Sequence, residues 1–270
     1  MERLRVEDLE EDLEIEYLFE PPSQAGEHDP VLVFLHEGLG SVELWRSFPS
    51  MVRDAMGGPG MLVYSRPGYG RSRPYRETRS VGYMHEEAVE VLPRVLSALG
   101  IERPVLVGHS DGASIAIIHA GSGFAVSALV LIAAHVFVEE RTIAGIEAAR
   151  AAYLGTDLAD RMLRYHENPD ATFWGWNRVW LSKEFREWNI EEYLPEITCP
   201  VLAIQGSQDE YGTVAQLDAI ERAVRGPFER LVLAGAGHAP HQERFEEVVK
   251  AVSTFLTGIE SFDSQGHTRG

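Results

Sequence analysis

The stretch "VLVGHSDGAS", residues 105 to 114, runs from branched apolar residues into a histidine, a serine and an aspartate held between two glycines. A buried strand that ends on Gly-x-Ser-x-Gly and passes at once into a helix puts the serine on a sharp turn. There the backbone leaves no room for side chains at the flanking positions. Gly108, His109, Ser110, Asp111 and Gly112 fill the pattern, between "VLV" and "ASIAII". The turn lifts the Ser110 hydroxyl above a sheet edge, and the start of the next helix offers a free backbone N–H to a developing oxyanion.

Outward from this turn, short apolar runs alternate with amphipathic stretches of helical length. The runs are 31–35, 61–65, 105–108, 128–134, 201–206 and 231–235, and "LEIEYLFE" (13–20) alternates as an antiparallel edge strand does. Helices are expected near 42–56, 85–99, 111–122, 213–224 and 241–257. The last carries Phe245, Val248, Val249, Val252, Phe255 and Leu256 on one stripe. This is an α/β pattern, a mostly parallel central sheet flanked by helices. From about Val136 to Pro195 no strand-like run occurs, and four of the five tryptophans (Trp174, Trp176, Trp180, Trp188) lie there. We read 1–135 and 196–270 as the core domain and 136–195 as an inserted helical cap over the carboxyl edge of the sheet.

A serine hydroxyl is a weak nucleophile, so its chemistry requires a base in contact with it and a carboxylate to orient that base. Asp209 follows the run "VLAIQG" in "SQDEYG", and His238 follows "LVLAGAG". Both fall just past strand ends, and the chain order Ser110, Asp209, His238 is the one this architecture uses. Glu210, next to Asp209, is the alternative acid.

Composition bounds the rest. The chain has 270 residues, 44% of them hydrophobic and 24% charged, which suits one large globular domain with an insertion. Its formal charge of −18 disfavours a nucleic-acid or anionic-membrane partner, so a small-molecule substrate is expected, with the chain a monomer or homodimer. A single cysteine, Cys199, excludes an internal disulfide, and the first residues lack the basic start and apolar run of a secretion signal. A cytoplasmic protein is the expectation. The final "DSQGHTRG" (263–270) is a polar tail. Histidines show no ligand-like spacing with carboxylates or Cys199, so no metal is expected. The glycine-rich "GSGFA" and "GYGRS" do not follow a first strand and open a helix, so no cofactor is expected either.

With these residues in place, the chain resembles the α/β-hydrolase superfamily from about residue 13 to 257. "LHEGLGS" (35–41) looks like its His-Gly-Gly-x-Gly segment, "SRPGYGRS" (65–72) like its Asp-x-Pro-Gly-x-Gly-x-Ser turn, and "GHAPHQE" (237–243) like its catalytic-histidine segment. The last match marks His238 rather than His241 as the base. The resemblance implies an oxyanion hole made by the amides of Asp111 and Gly38, with Leu39 the alternative to Gly38. His36 is expected to brace that loop and His109 to support the turn by packing.

Three positions depart from the family pattern, among them the acidic Asp111, where many relatives carry an apolar or amide side chain. Glu37 stands where glycine is usual, and Ser65 where aspartate is usual. If Glu37 and Asp111 both approach the nucleophile, they repel an anionic substrate or require a cation, for which Arg66 is the candidate. Alternatively, Glu37 points away. Glu37, Leu39, Phe173, Trp174 and Trp176 are the expected pocket walls. The function this implies is a serine hydrolase acting on a small or medium carboxylic ester, thioester or lactone through an acyl-enzyme on Ser110. Alternatives are carbon–carbon bond cleavage in a ring-cleavage product, or a ligand-sensing receptor of the same fold. Serine at 110 disfavours epoxide or haloalkane hydrolysis, which needs a carboxylate nucleophile.

Overall fold

The computed structural model describes residues 2–6, 13–23, 31–74 and 79–266, with side chains for those from 13 to 259. Its strands are β1 (Glu2–Val6), β2 (Leu13–Glu20), β3 (Leu32–Leu35), β4 (Met61–Tyr64), β5 (Val105–His109), β6 (Ala128–Ile132), β7 (Val201–Gly206) and β8 (Phe228–Leu233). They form one eight-stranded sheet in the order β1-β2-β4-β3-β5-β6-β7-β8. β1 and β2 run antiparallel to their neighbours, and β4 through β8 are mutually parallel. The alternating edge strand expected at 13–20 is β2. β1 was not legible, because its five residues "ERLRV" carry no apolar run.

The core helices are α1 (Phe48–Ala55), α2 (Tyr83–Glu86), α3 (Leu92–Ala98) and α4 (Asp111–Gly121). The inserted layer holds α5 (Glu140–Gly155), α6 (Leu158–Met162) and α7 (Pro169–Trp180), followed by α8 (Ala215–Ala223), α9 (Pro240–Glu243) and α10 (Phe245–Gly266) of the core. The segment expected as one helix at 85–99 begins earlier, at Tyr83, and carries a π-helical turn at Glu87–Val91. The His119 ring donates from Nδ1 to the Ala88 carbonyl across 2.7 Å, so the displaced backbone acceptor is satisfied there. The helix expected over 42–56 is broken at Arg46, whose φ of 53° separates a 3₁₀ turn from α1. The tail expected at 263–270 lies partly outside the described residues, α10 extending to Gly266.

Both faces of the sheet are apolar, as a covered parallel sheet requires. Leu32, Phe34, Val63, Val107 and Val130 face α1 and α10, where Phe48, Val52, Val248 and Val252 are buried. Val33, Leu35, Leu62, Leu106 and Leu131 face the opposite helices and the cap. α4 is apolar nearly all round, with ten of its eleven residues buried, since it sits between the sheet and a layer made by α2, the π-helical turn and the 3₁₀ turn at Glu191–Glu196. Each large apolar side chain so covered contributes about 1.5–3 kcal/mol. The sheet is therefore a rigid platform, and its carboxyl edge is where the loops after β3, β5, β6, β7 and β8 meet.

Candidate active site

Ser110 follows β5 directly, at φ 52° and ψ −117°. A left-handed backbone at a non-glycine residue is strained, and its neighbours over-determine it. Its amide donates to the Ile132 carbonyl (2.8 Å), and its carbonyl accepts from Ala113 and Ser114. The flanking glycines are required by contact. A Cβ on Gly112 would lie 1.9 Å from the Leu35 carbonyl oxygen of β3, and one on Gly108 2.4 Å from the Gly112 carbonyl.

The structure brings Ser110, His238 and Asp209 together although 99 and 29 positions separate them in turn (209 − 110 and 238 − 209). His238 Nε2 lies 2.9 Å from Ser110 Oγ, and its Nδ1 lies 2.9 and 2.8 Å from the two Asp209 carboxylate oxygens. Asp209 Oδ1 also accepts the amides of Tyr211 (2.7 Å) and Gly212 (3.2 Å), and Oδ2 accepts Gln205 Nε2 (2.6 Å). Burial disfavours the Asp209 charge. The His238 and Tyr211 hydrogen bonds outweigh it and hold the carboxyl below the ordinary range. Glu210, the alternative acid, instead accepts the His238 backbone amide at 3.2 Å. His241 is buried against the rings of Trp45, Phe48 and His109, away from Ser110.

Gly38 and Asp111 line the same cavity as Ser110 and His238. His36 braces this loop. Its Nδ1 donates to the Glu37 carbonyl (2.7 Å), and its Nε2 accepts the Arg66 amide (3.0 Å). Burial, then Arg66, holds its pKa well below the usual value, so the neutral tautomer this pattern requires is the stable one. His109 donates from Nε2 to the His238 carbonyl (2.8 Å), tying the turn to the histidine loop.

Arg66 is fully buried and does not pair with the Glu37 carboxylate. Its guanidinium bonds the Glu37 carbonyl (3.0 Å), lies 3.7 Å from Asp111 Oδ2 and stacks over Tyr69. Its charge acts on the carboxylates of Glu87 and Asp111. The Glu37 carboxylate lies 3.4 Å from His109 Nδ1 and faces the cavity rather than pointing away. The departure at Ser65 has a physical explanation too: Ser65 Oγ donates to Glu16 Oε2 (2.8 Å) and accepts the Val42 amide (3.0 Å). The carboxylate expected in this turn is supplied from β2, where it also accepts the Arg71 amide (3.0 Å).

The cavity beside Ser110 measures about 90 Å³. Glu37, Leu39 and Trp176 line it, as do Trp180, Ile146 and Tyr211. Phe173 and Trp174 do not, and the helical period explains Trp174. On α7, Trp176 and Trp180 are four residues apart and share a face, while Trp174 is turned about 200° from Trp176. Trp174 instead borders an outer groove between Arg150 and Arg178, and Phe173 is stacked on Tyr153 at 3.8 Å inside the cap.

Sequence reasoning missed three side chains. Tyr83 donates to Asp111 Oδ2 (2.5 Å) and accepts Trp180 Nε1 (3.1 Å), linking cap to turn. His166 of the cap accepts the Gly70 amide at Nδ1 (3.0 Å) and donates from Nε2 to the Leu39 carbonyl (2.9 Å). Neither lies in a motif. Gln205 is the exception, since a polar residue closing the apolar run "VLAIQG" was a readable signal.

A model of the Alpha/beta hydrolase family matches residues 32–251, and the chain belongs to that family. Among curated proteins, epoxide hydrolase A of Mycobacterium tuberculosis is 35% identical over 83 residues, 30% of this chain and 26% of that one. Epoxide hydrolase B of the same species is 37% identical over 98 residues, 36% of this chain and 25% of that one. These matches thus span about a quarter of the relatives' length. Among solved structures, a carboxylesterase of Nitrososphaera gargenis superposes with a TM-score of 0.73 at 15% identity, over 96% of this chain and 99% of that one. An enol-lactonase of Burkholderia xenovorans LB400 gives 0.68 at 19%, over 91% and 97%. At such identities the likeness is one of fold. Among the described residues no helix is long and apolar enough to cross a membrane.

Proposed function

We propose that the protein is a serine hydrolase of small carboxylic esters, thioesters or lactones, working through an acyl-enzyme on Ser110. The observation that carries this reading is the continuous relay from Asp209 through His238 to Ser110 Oγ, 2.9 Å at its last step, in a cavity that Gly38 and Asp111 also line. His238 takes the Ser110 proton as Oγ attacks the acyl carbon. The Gly38 and Asp111 amides receive the charge on the carbonyl oxygen, each worth about 3–4 kcal/mol in such sites. His238 then returns its proton to the leaving group and activates water for deacylation, while Asp209 stabilises the imidazolium.

The epoxide hydrolase relatives make epoxide opening the competing chemistry. A serine alkoxide that opened an epoxide would be left as an ether, with no carbonyl carbon for water to attack. Ser110 at the turn therefore favours acyl transfer. A cavity of about 90 Å³, against the roughly 300–1,000 Å³ of drug-sized pockets, favours a short acyl group. The deciding experiment is a panel of short esters, thioesters and lactones on wild type and Ser110→Ala. Multiple turnover by the wild type, with at least about a thousandfold loss in the variant, is expected. Stoichiometric labelling by a fluorophosphonate without turnover of any member would instead indicate a ligand sensor.

A further inference from the structure

We propose that the cavity selects an uncharged group and rejects a carboxylate-bearing one, with Glu37 as the residue that sets this selection; the proposal rests on the ester-hydrolase reading above. Three observations lead to it. First, the Glu37 carboxylate cannot withdraw far, because its own backbone is pinned. Its carbonyl accepts His36 Nδ1 at 2.7 Å, Arg66 Nη2 at 3.0 Å and the Gly40 amide at 3.0 Å. The carboxylate folds over Gly40, where an added Cβ would lie 2.4 Å from Oε2. It thus remains beside Gly38, which lines the cavity together with Ser110.

Second, among the described residues no arginine or lysine lines this cavity. Arg66 is spent on Asp111 and on the Glu37 carbonyl, with its side chain fully buried. His109 lies behind Glu37 at 3.4 Å, with only 3% of its side chain exposed against 26% for Glu37, so the negative end of this contact is the one presented to the cavity. Burial opposes the Glu37 charge, but the neighbouring His109 holds the carboxyl well below its usual range, and the group stays ionised at neutral pH. The other cavity-facing titratable groups are His135, His238, Tyr211 and Asp111. Burial lowers the pKa of His135 and raises that of Tyr211, which keeps both rings neutral.

Third, the remaining walls are apolar or aromatic, with Leu39, Ile146, Trp176 and Trp180 closing a small volume. A second carboxylate inside it would be desolvated next to Glu37 with no counter-charge. At about 8 Å and an effective dielectric near 20, like charges repel enough to change a rate by more than about tenfold. The same reasoning makes carboxylate-bearing ring-cleavage products poor occupants.

The test compares isosteric substrates that differ in charge alone, phenyl glutaramate and phenyl hydrogen glutarate, on wild type and Glu37→Gln. In the wild type, kcat/KM for the carboxylate is expected at least about tenfold below that for the carboxamide. In Glu37→Gln the ratio should fall to about threefold or less, whatever the variant does to the absolute rates. Equal wild-type values, or a ratio unmoved by the substitution, overturn the proposal. Should neither ester turn over, the ester reading fails while the selection remains measurable. Ser110 is then labelled with a neutral and a carboxylate-bearing fluorophosphonate, and equal labelling rates overturn the proposal. If Glu37→Gln does not fold, the wild-type ratio decides.

Discussion

The two sides of the cavity are built on different principles. On the core side, every residue of the hydrogen-bonded relay sits within a few residues of a strand end: Ser110 after β5, Asp209 after β7 and His238 after β8. Parallel strands in fixed register leave these loops little choice of position, and backbone contacts such as Gly112 against Leu35 lock the turn. On the cap side, the walls come from one face each of α5 and α7, held to the core by side chains: Trp180 to Tyr83, and His166 to Gly70 and Leu39. The relay therefore stands on backbone geometry and the cavity wall facing it on side-chain packing. Changes on the first should be catastrophic and on the second graded.

The largest expected effect is on the turn itself. Gly112→Ala would force a Cβ to 1.9 Å from a backbone oxygen that cannot move without breaking β3. A loss of at least about 3 kcal/mol is expected, read as a large drop in melting temperature or absence of soluble protein. Normal stability with normal turnover would show that the core side is softer than its contacts imply.

Asp209→Asn keeps the shape of the site but removes the charge that orients His238. A loss of about a hundredfold to ten-thousandfold in kcat is expected, with KM changed much less. Steady-state kinetics on any ester accepted by the wild type measures it.

A buried group behind the turn tests how far the core side carries stored cost. Glu87 is 7% exposed, its Oε2 is unpartnered, and burial raises its pKa to about 7 despite Arg66 and Arg79 nearby. Its folded pKa exceeds its unfolded one, so the folded state binds the extra proton. Stability from this group is fully present below the unfolded pKa of about 4.5 and is lost as pH rises through about 7. Glu87→Gln should raise the melting temperature at about pH 8 and change it little at about pH 5. The reverse order would contradict the burial of this carboxyl.

The smallest effects belong to the cap. Trp176→Ala opens the cavity wall and should alter kcat/KM by at least about tenfold for short esters, whereas Trp174→Ala, facing the outer groove, should stay within about twofold. Gly155→Ala at the end of α5 meets nothing within 4 Å and should stabilise by about 0.5–1 kcal/mol, the opposite sign to Gly112→Ala.

The fold, and the three residues of the relay, were readable before any coordinates. Their signals are local: an apolar run, a glycine-fenced serine, an acid and a histidine each just past a later run. Period-two and period-3.6 patterns and tight-turn sterics act over a few residues, so a single chain displays them. What stayed hidden depends on the rotation of a helix about its axis and on which loop a buried polar atom meets. No local pattern says that Trp176 rather than Trp174 faces the serine, that Arg66 serves Asp111 while Glu37 keeps its charge for the cavity, or that Glu16 completes the turn at Ser65. Those pairings join residues from separate elements, and only the packed molecule, by bringing them within hydrogen-bonding range and excluding water between them, decides which of the possible partners meet.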